Sequence, residues 1–192
     1  MTLKYLNRIL LEEASAFIEH LPNKCVDLVL TDPPYNLLED EIEYYHSEFQ
    51  RISCHGIIVF MPPENPWVFP SDQYLFWEKE HSTKNTAKSY ARYMEQIFVY
   101  DTDVWNIERH WSNYGNVFHD LVDTTQVSPH RKPPSLIERL ILNHTTPGMI
   151  VFDPFAGSCI VAEVCMKTGR NFICLENDEY IHDMVTKQLR IF

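Results

Sequence analysis

The sequence is short of the features that would place it in several common classes. It has five glycines in 192 residues and no Gly-x-Gly-x-x-Gly run, which excludes the usual glycine cradle for a pyrophosphate. Its five cysteines (Cys25, Cys54, Cys159, Cys165 and Cys174) are odd in number and contain no Cys-x-x-Cys pair. That excludes a complete disulfide framework and a cysteine zinc site, and fits a reducing compartment. None of the nine histidines makes a ligand-spaced pair with another His or with Cys, so no metal is expected. No apolar run approaches the ~20 residues that span a bilayer. Asn7, Arg8, Glu12 and Glu13 break up the apolar residues at the N-terminus, so no secretory leader is read there and a cytoplasmic protein without a membrane role is expected. Basic residues are also scarce, at 16 Lys plus Arg against 27 Asp plus Glu, for a formal charge of −11. A plain electrostatic grip on nucleic acid normally shows as a basic excess, and the overall charge argues against one.

The charge is unevenly placed. Residues 9–50 hold ten acids and a single cation, Lys24, a net of −9 that leaves −2 for the other 150 residues. Residues 81–94 carry Lys84, Lys88 and Arg92 with no acid. Their i, i+4, i+8 spacing puts all three on one face if the stretch is helical. Two readings stay open: a solvated face, or a nucleic-acid-binding patch that contacts phosphate.

What is present points to an α/β fold. Short apolar runs at Val26–Thr31, Gly56–Met61, Tyr74–Trp77, Ile97–Tyr100, Met149–Phe152 and Phe172–Leu175 have the near-continuous hydrophobicity of strands buried on both faces. Helical patterns at Glu12–His20, Pro134–Asn143, Ile160–Lys167 and Tyr180–Arg190 lie between or after them. The alternation predicts one domain, residues 1–192, built as a doubly wound, mostly parallel sheet.

Two segments carry chemistry. Asp32-Pro33-Pro34-Tyr35 directly follows the first of these strands. Consecutive prolines stiffen the loop and remove two backbone donors, leaving acceptors flanked by a carboxylate and an aromatic ring. That set suits an exocyclic amine on a nucleobase: acceptors for its hydrogens and a face on which its ring can stack. The second segment is Asp153-Pro154-Phe155-Ala156-Gly157-Ser158, at the end of another strand, where open α/β sheets bind ligands. Glu176 ends the next strand, twenty-three residues on, placed to accept hydrogen bonds from ribose hydroxyls. Without a pyrophosphate cradle, a nucleoside cofactor lacking phosphates is favoured, and S-adenosylmethionine fits.

On these residues the sequence resembles the amino-methylating DNA methyltransferases, which modify adenine N6 or cytosine N4. The two segments look like the family's catalytic and cofactor motifs, in the order of its β group, a circularly permuted form of the class I S-adenosylmethionine-dependent methyltransferase with a seven-stranded-type sheet. Glu12–Pro34, Tyr74–Lys79, Glu95–Val99, His130-Arg131-Lys132-Pro133 with Leu136–Ile141, and Asn171–Tyr180 resemble further family segments. The resemblance implies a prokaryotic or phage-type enzyme in which Asp32 and the Pro33 carbonyl accept the target amine, within a loop stiffened by Pro34. Tyr35 stacks on a flipped-out base. Asp153, Pro154, Phe155, Ala156, Gly157 and Ser158 line the cofactor pocket, with Glu176 on the ribose. Lys132 helps neutralise the methionine carboxylate, and Glu13 lies near the adenine ring. Asp32 favours adenine over cytosine as target, since cytosine enzymes more often carry Ser there; N4-cytosine and RNA adenosine remain alternatives.

Two departures qualify the resemblance. Cys159 stands where the family usually has glycine. A backbone demand for positive φ would make Cys costly, but a first helical residue tolerates it, and tolerance is expected. A degenerate pocket would instead make the chain a non-enzymatic binding or scaffold subunit. The only candidate for sequence reading is 101–129, a short aromatic-rich segment that suits a recognition loop or a dimer contact. Binding to DNA by so acidic a chain is therefore expected to be weak, unless a homodimer or partner subunit adds positive surface.

Overall fold

The computed structural model describes residues 2–61, 69–79, 93–102, 115–120 and 131–190. Among these, eight strands form one sheet: β1 (Arg8–Leu11), β2 (Leu28–Thr31), β3 (Ile57–Met61), β4 (Gln73–Glu78), β5 (Met94–Tyr100), β6 (Val117–Phe118), β7 (Ile150–Asp153) and β8 (Asn171–Glu176). Their order is β1-β8-β7-β2-β3-β5-β4-β6. β5 pairs antiparallel with β3 and β4, and every other neighbouring pair is parallel. The expected doubly wound α/β sheet is observed, with the two-residue β6 added beside β4.

Strand parity divides the core. Leu30, Ile58 and Phe60 pack with α3 (Pro134–His144) and α4 (Ile160–Thr168), and with Val185 of α5 (Glu179–Leu189). Val29, Ile57 and Val59 face the other way, onto α1 (Ala14–Ile18) and α2 (Glu39–Ile52). This is the period-two alternation of a sheet covered on both faces, and it explains why β2 and β3 are buried throughout.

The acidic run of residues 9–50 turns out to contain an element that the charge pattern concealed. α2 buries Ile42, Tyr45, His46, Phe49 and Ile52, an apolar stripe at helical spacing. Glu39, Asp40 and Glu41 occupy its first turn, where negative charge complements the positive end of the helix dipole. Glu41 Oε2 also accepts the Leu38 N–H at 2.8 Å. Much of the charge anomaly is thus helix chemistry. α1 is shorter than expected, with Glu13 as its N-cap.

β2–α2–β3 crosses over one face and β7–α4–β8 over the other, so chain order reverses between β2 and β7. A crevice opens at the carboxyl ends of strands at such a reversal.

Candidate active site

The sheet order gathers charges that the sequence keeps far apart. The carboxyl ends of β1, β8, β7 and β2, side by side, are followed by Glu13, Glu176, Asp153 and Asp32, with Glu176 and Asp153 the last residues of their strands. Because β5 runs the other way, Glu95 near its start reaches the same edge, and Lys79 follows the end of β4 opposite it. Lys132 arrives from the segment before α3.

A cavity of about 250 Å³ lies in the crevice. Its polar lining is Thr31, Asp32, Lys132, Asp153 and Ser158, and its walls are Leu30, Phe60, Ile137, Phe155, Ala156, Gly157, Ile160 and Val161. The structure therefore brings Asp32 together with Lys132, Asp153, Phe155, Ala156, Gly157 and Ser158. Pro33 and Pro154 are buried beside it, and Pro34 and Tyr35 lie exposed on the loop beyond Asp32. Glu176 and Glu13 share the same sheet end without lining the cavity. Glu176 Oε1 accepts the Asp178 N–H at 2.8 Å, and Glu13 Oε2 accepts Asn177 Nδ2 at 3.0 Å. Lys84, Lys88 and Arg92 lie outside the described residues, as do 103–114 and 121–130 of the candidate recognition segment.

The two oxygens of Asp32 have different surroundings. Oδ2 is ion-paired to Lys132 Nζ, whereas Oδ1 is buried and has no hydrogen-bond partner among the described residues. Burial raises the pKa of Asp32, with Lys132 countering, Glu95 adding to the rise and the nearby Tyr35 hydroxyl, as a donor outside strict hydrogen-bond geometry, lowering it. Burial also works against the Lys132 charge, but Asp32 and Glu95 outweigh it and hold the ammonium protonated. The result is a carboxyl group at the cavity wall whose far oxygen is fixed by a buried ammonium.

Asp153 is held differently. Its Oδ1 accepts Thr31 Oγ1 at 2.8 Å and the Phe155 N–H at 3.2 Å. Burial pushes its pKa up to about 7; the two hydrogen bonds oppose this, and Asp32 and Glu176 add to it. A buried carboxylate with no cation beside it among the described residues favours a cationic ligand. An amino-acid ammonium and a sulfonium both supply that charge, and the apolar walls suit the rest of such a molecule. The donor set therefore fits S-adenosylmethionine.

Two supporting residues were not singled out from the sequence. Thr31 holds Asp153 across the β2–β7 seam; its one sequence signal is a hydroxyl among apolar residues immediately before Asp32. Arg131 is buried; it donates to the Ser158 carbonyl at 3.2 Å and to Glu163 Oε2 at 2.5 Å, clamping the loop before α4.

The expected tolerance at Cys159 needs correction. Cys159 is the N-cap of α4 at φ 55° and ψ 32°, not its first helical residue. The position does impose the left-handed backbone that favours glycine, at a cost of roughly 1 kcal/mol or more. Its side chain is wholly buried, however, in the core cluster with α3 and α4, and that burial is worth a similar amount. Cys159→Gly is therefore expected to change stability by less than about 1 kcal/mol, while the β-branched Cys159→Val loses about 2 kcal/mol. Urea unfolding of the two variants checks this. Burial, then Asp153 and Glu176, push the Cys159 thiol pKa up, so it is a neutral core group and not a nucleophile.

The DNA methylase family profile of the N6/N4 type matches residues 56–187. The chain is 27% identical over 229 aligned positions to the DNA adenine methyltransferase YhdJ of Escherichia coli (strain K12), an alignment covering 88% of this chain and 78% of that protein. The solved structure of M1.HpyAVI in its SAM complex superposes with a TM-score of 0.72 at 22% identity, covering 94% of this chain and 98% of that one. PvuII DNA methyltransferase (cytosine-N4-specific) superposes with a TM-score of 0.73 at 15% identity, covering 93% and 89%. At these identities the two structures share the fold.

Proposed function

The chain belongs to the N6/N4 DNA methylase family, and on that premise we propose that it transfers a methyl group from S-adenosylmethionine to the exocyclic N6 of adenine in DNA. The observation that carries this reading is that Asp32, paired to Lys132 and followed by Pro33-Pro34-Tyr35, lines one cavity with a second carboxylate, Asp153, that is suited to a cation.

Asp32 and the Pro33 carbonyl accept the two hydrogens of the amine, which concentrates electron density on its nitrogen. Lys132 fixes the far oxygen and so the carboxylate plane. Tyr35, exposed at the rim, stacks on the base, which must first leave the duplex. When bound, the cofactor supplies an electrophilic methyl carbon on sulfonium. Asp153 and Glu176 orient it from the ammonium and ribose sides. Asp32, holding the amine, would receive the one proton that the nitrogen sheds when it takes the methyl group and the sulfur leaves as a neutral thioether. No covalent link to the protein forms, so the rate comes from alignment and from a preorganised electrostatic site.

Adenine is supported by Asp32 itself and by the relative named as an adenine methyltransferase. Methylome sequencing of DNA from cells expressing the wild-type chain tests the assignment, with Asp32→Ala cells as the control. N6-methyladenine at recurring sites, absent in the control, is expected. N4-methylcytosine would keep the chemistry and move the target, and unmodified DNA would overturn the proposal.

A further inference from the structure

We propose that Glu95, backed by Lys79, is a positioning residue that shares Lys132 with Asp32 and thereby sets how strongly Asp32 accepts the substrate amine. This rests on the reading of Asp32 as the amine acceptor.

The four side chains form one row of alternating charge running from the cavity into the protein. Lys132 Nζ is paired with Asp32 Oδ2 and lies 3.3 Å from Glu95 Oε2. Glu95 Oε1 in turn takes Lys79 Nζ. Lys79 and Lys132 are each 7% exposed and Glu95 13%, against 28% for Asp32. Two charges, Glu95 and Lys79, thus sit behind the Asp32–Lys132 pair that lines the cavity. Buried charges need partners, but a single Lys132–Asp32 pair would meet that need alone. Glu95 and Lys79 add two further buried charges and divide the pull on Lys132.

That division has a chemical consequence. A lysine committed wholly to Asp32 would draw electron density from the carboxylate and weaken it as an acceptor. With Glu95 on its other side, Lys132 holds Asp32 in place without satisfying it. Lys79 keeps Glu95 from capturing Lys132 outright. The aromatic faces of Phe60, 5.0 Å from Lys132 Nζ, and Trp77, 4.8 Å from Lys79 Nζ, flank the two cations. The Trp77 indole is itself anchored on the Asp120 carbonyl at 2.8 Å.

The charged and titratable groups that act on Asp32 are Lys132, Glu95 and Tyr35; Lys132 faces Asp32, Glu95 and Tyr35, and Glu95 faces Lys132 and Lys79. Asp32 also acts at longer range on Asp153. Since Glu95 raises the proton affinity of Asp32 and Lys132 lowers it, removing Glu95 shifts Asp32 toward a weaker base.

The test compares wild type, Glu95→Gln and the double variant Glu95→Gln/Lys79→Met, which leaves no buried cation without a partner. Single-turnover methyl transfer to unmethylated genomic DNA is measured against pH with cofactor saturating, so that titration of Asp153 does not intrude. Both variants are expected to lose about tenfold in plateau rate, with the acid limb moving down by about one pH unit and the cofactor Kd within about twofold of wild type. An unchanged rate and limb, or a slower rate with an unmoved limb, would overturn the proposal. Asp32→Asn is run alongside: if it keeps wild-type turnover, the acceptor reading fails whatever Glu95 does.

Discussion

Asp32→Asn is expected to lower methyl transfer by on the order of 10²–10³-fold while leaving the affinity for S-adenosylmethionine within a few-fold. The substitution preserves shape and removes the symmetry of the carboxylate. If the asparagine oxygen faces Lys132, its NH₂ meets the substrate amine, donor against donor; if the amide turns over, the NH₂ meets the Lys132 ammonium. One conflict survives in either orientation. The fold tolerates the change, because Lys132 keeps Glu95 at 3.3 Å and is not left as an unpaired buried charge. The cofactor side is insulated because Asp153 is held by Thr31 and the Phe155 N–H rather than by Asp32. Loss of the Asp32 charge even lowers the pKa of Asp153 slightly, since Asp32 contributes to its rise. Isothermal titration with cofactor and a single-turnover assay separate the two effects. A parallel loss of binding and rate would place Asp32 in the cofactor site instead.

The second large effect concerns Asp153, whose pKa is pushed up to about 7. On the proposal that Asp153 receives the cofactor ammonium, only its ionised form would pair with it, so affinity should climb as pH rises toward 8 and fall up to tenfold per pH unit well below about 7. Asp153→Asn keeps an acceptor for Thr31 and the Phe155 N–H but loses the charge. It should weaken cofactor binding by roughly 10–100-fold at pH 8, as expected for losing a charged hydrogen bond, and flatten the pH dependence. The sign for stability is the reverse. Asp153 ordinarily titrates near 3.8, so between that value and about 7 the folded ligand-free protein holds a proton that the unfolded chain has released. Its contribution therefore falls as pH rises through that window, and Asp153→Asn removes this part of the slope. Titration calorimetry and urea unfolding from about pH 5 to 8.5 read both signs.

Local pattern made part of this molecule legible. The apolar runs that became β2, β3, β5, β7 and β8 are strands buried on both faces, and their hydrophobicity needs no tertiary knowledge to read. Asp32, Asp153 and Glu176 could be found because each follows or ends such a run, and sheet topology then places them side by side. α2 was hidden because Glu39, Asp40, Glu41, Glu43 and Glu48 drew attention as charge, while its stripe of Ile42, Tyr45, Phe49 and Ile52 is interrupted by polar residues. β1 and β6 are short edge strands with little buried surface. The partnership of Lys132 with Asp32, across 100 residues, and with Glu95 on the antiparallel β5, depends on three-dimensional register that no linear spacing encodes. The left-handed backbone at Cys159 is likewise a loop property, visible from the sequence only as a contrast with glycine.

The most direct measurement is transfer of a radiolabelled methyl group from S-adenosylmethionine to unmethylated DNA, followed by nucleoside analysis, with wild type, Asp32→Asn and Asp153→Asn compared at equal protein and saturating cofactor. Label in N6-methyladenine for wild type, near-complete loss for Asp32→Asn, and substantial recovery for Asp153→Asn as cofactor is raised are the predicted results. Labelled N6-methyladenine at wild-type levels from Asp32→Asn, or no labelled nucleoside from any of the three, would contradict a methyl transfer centred on Asp32.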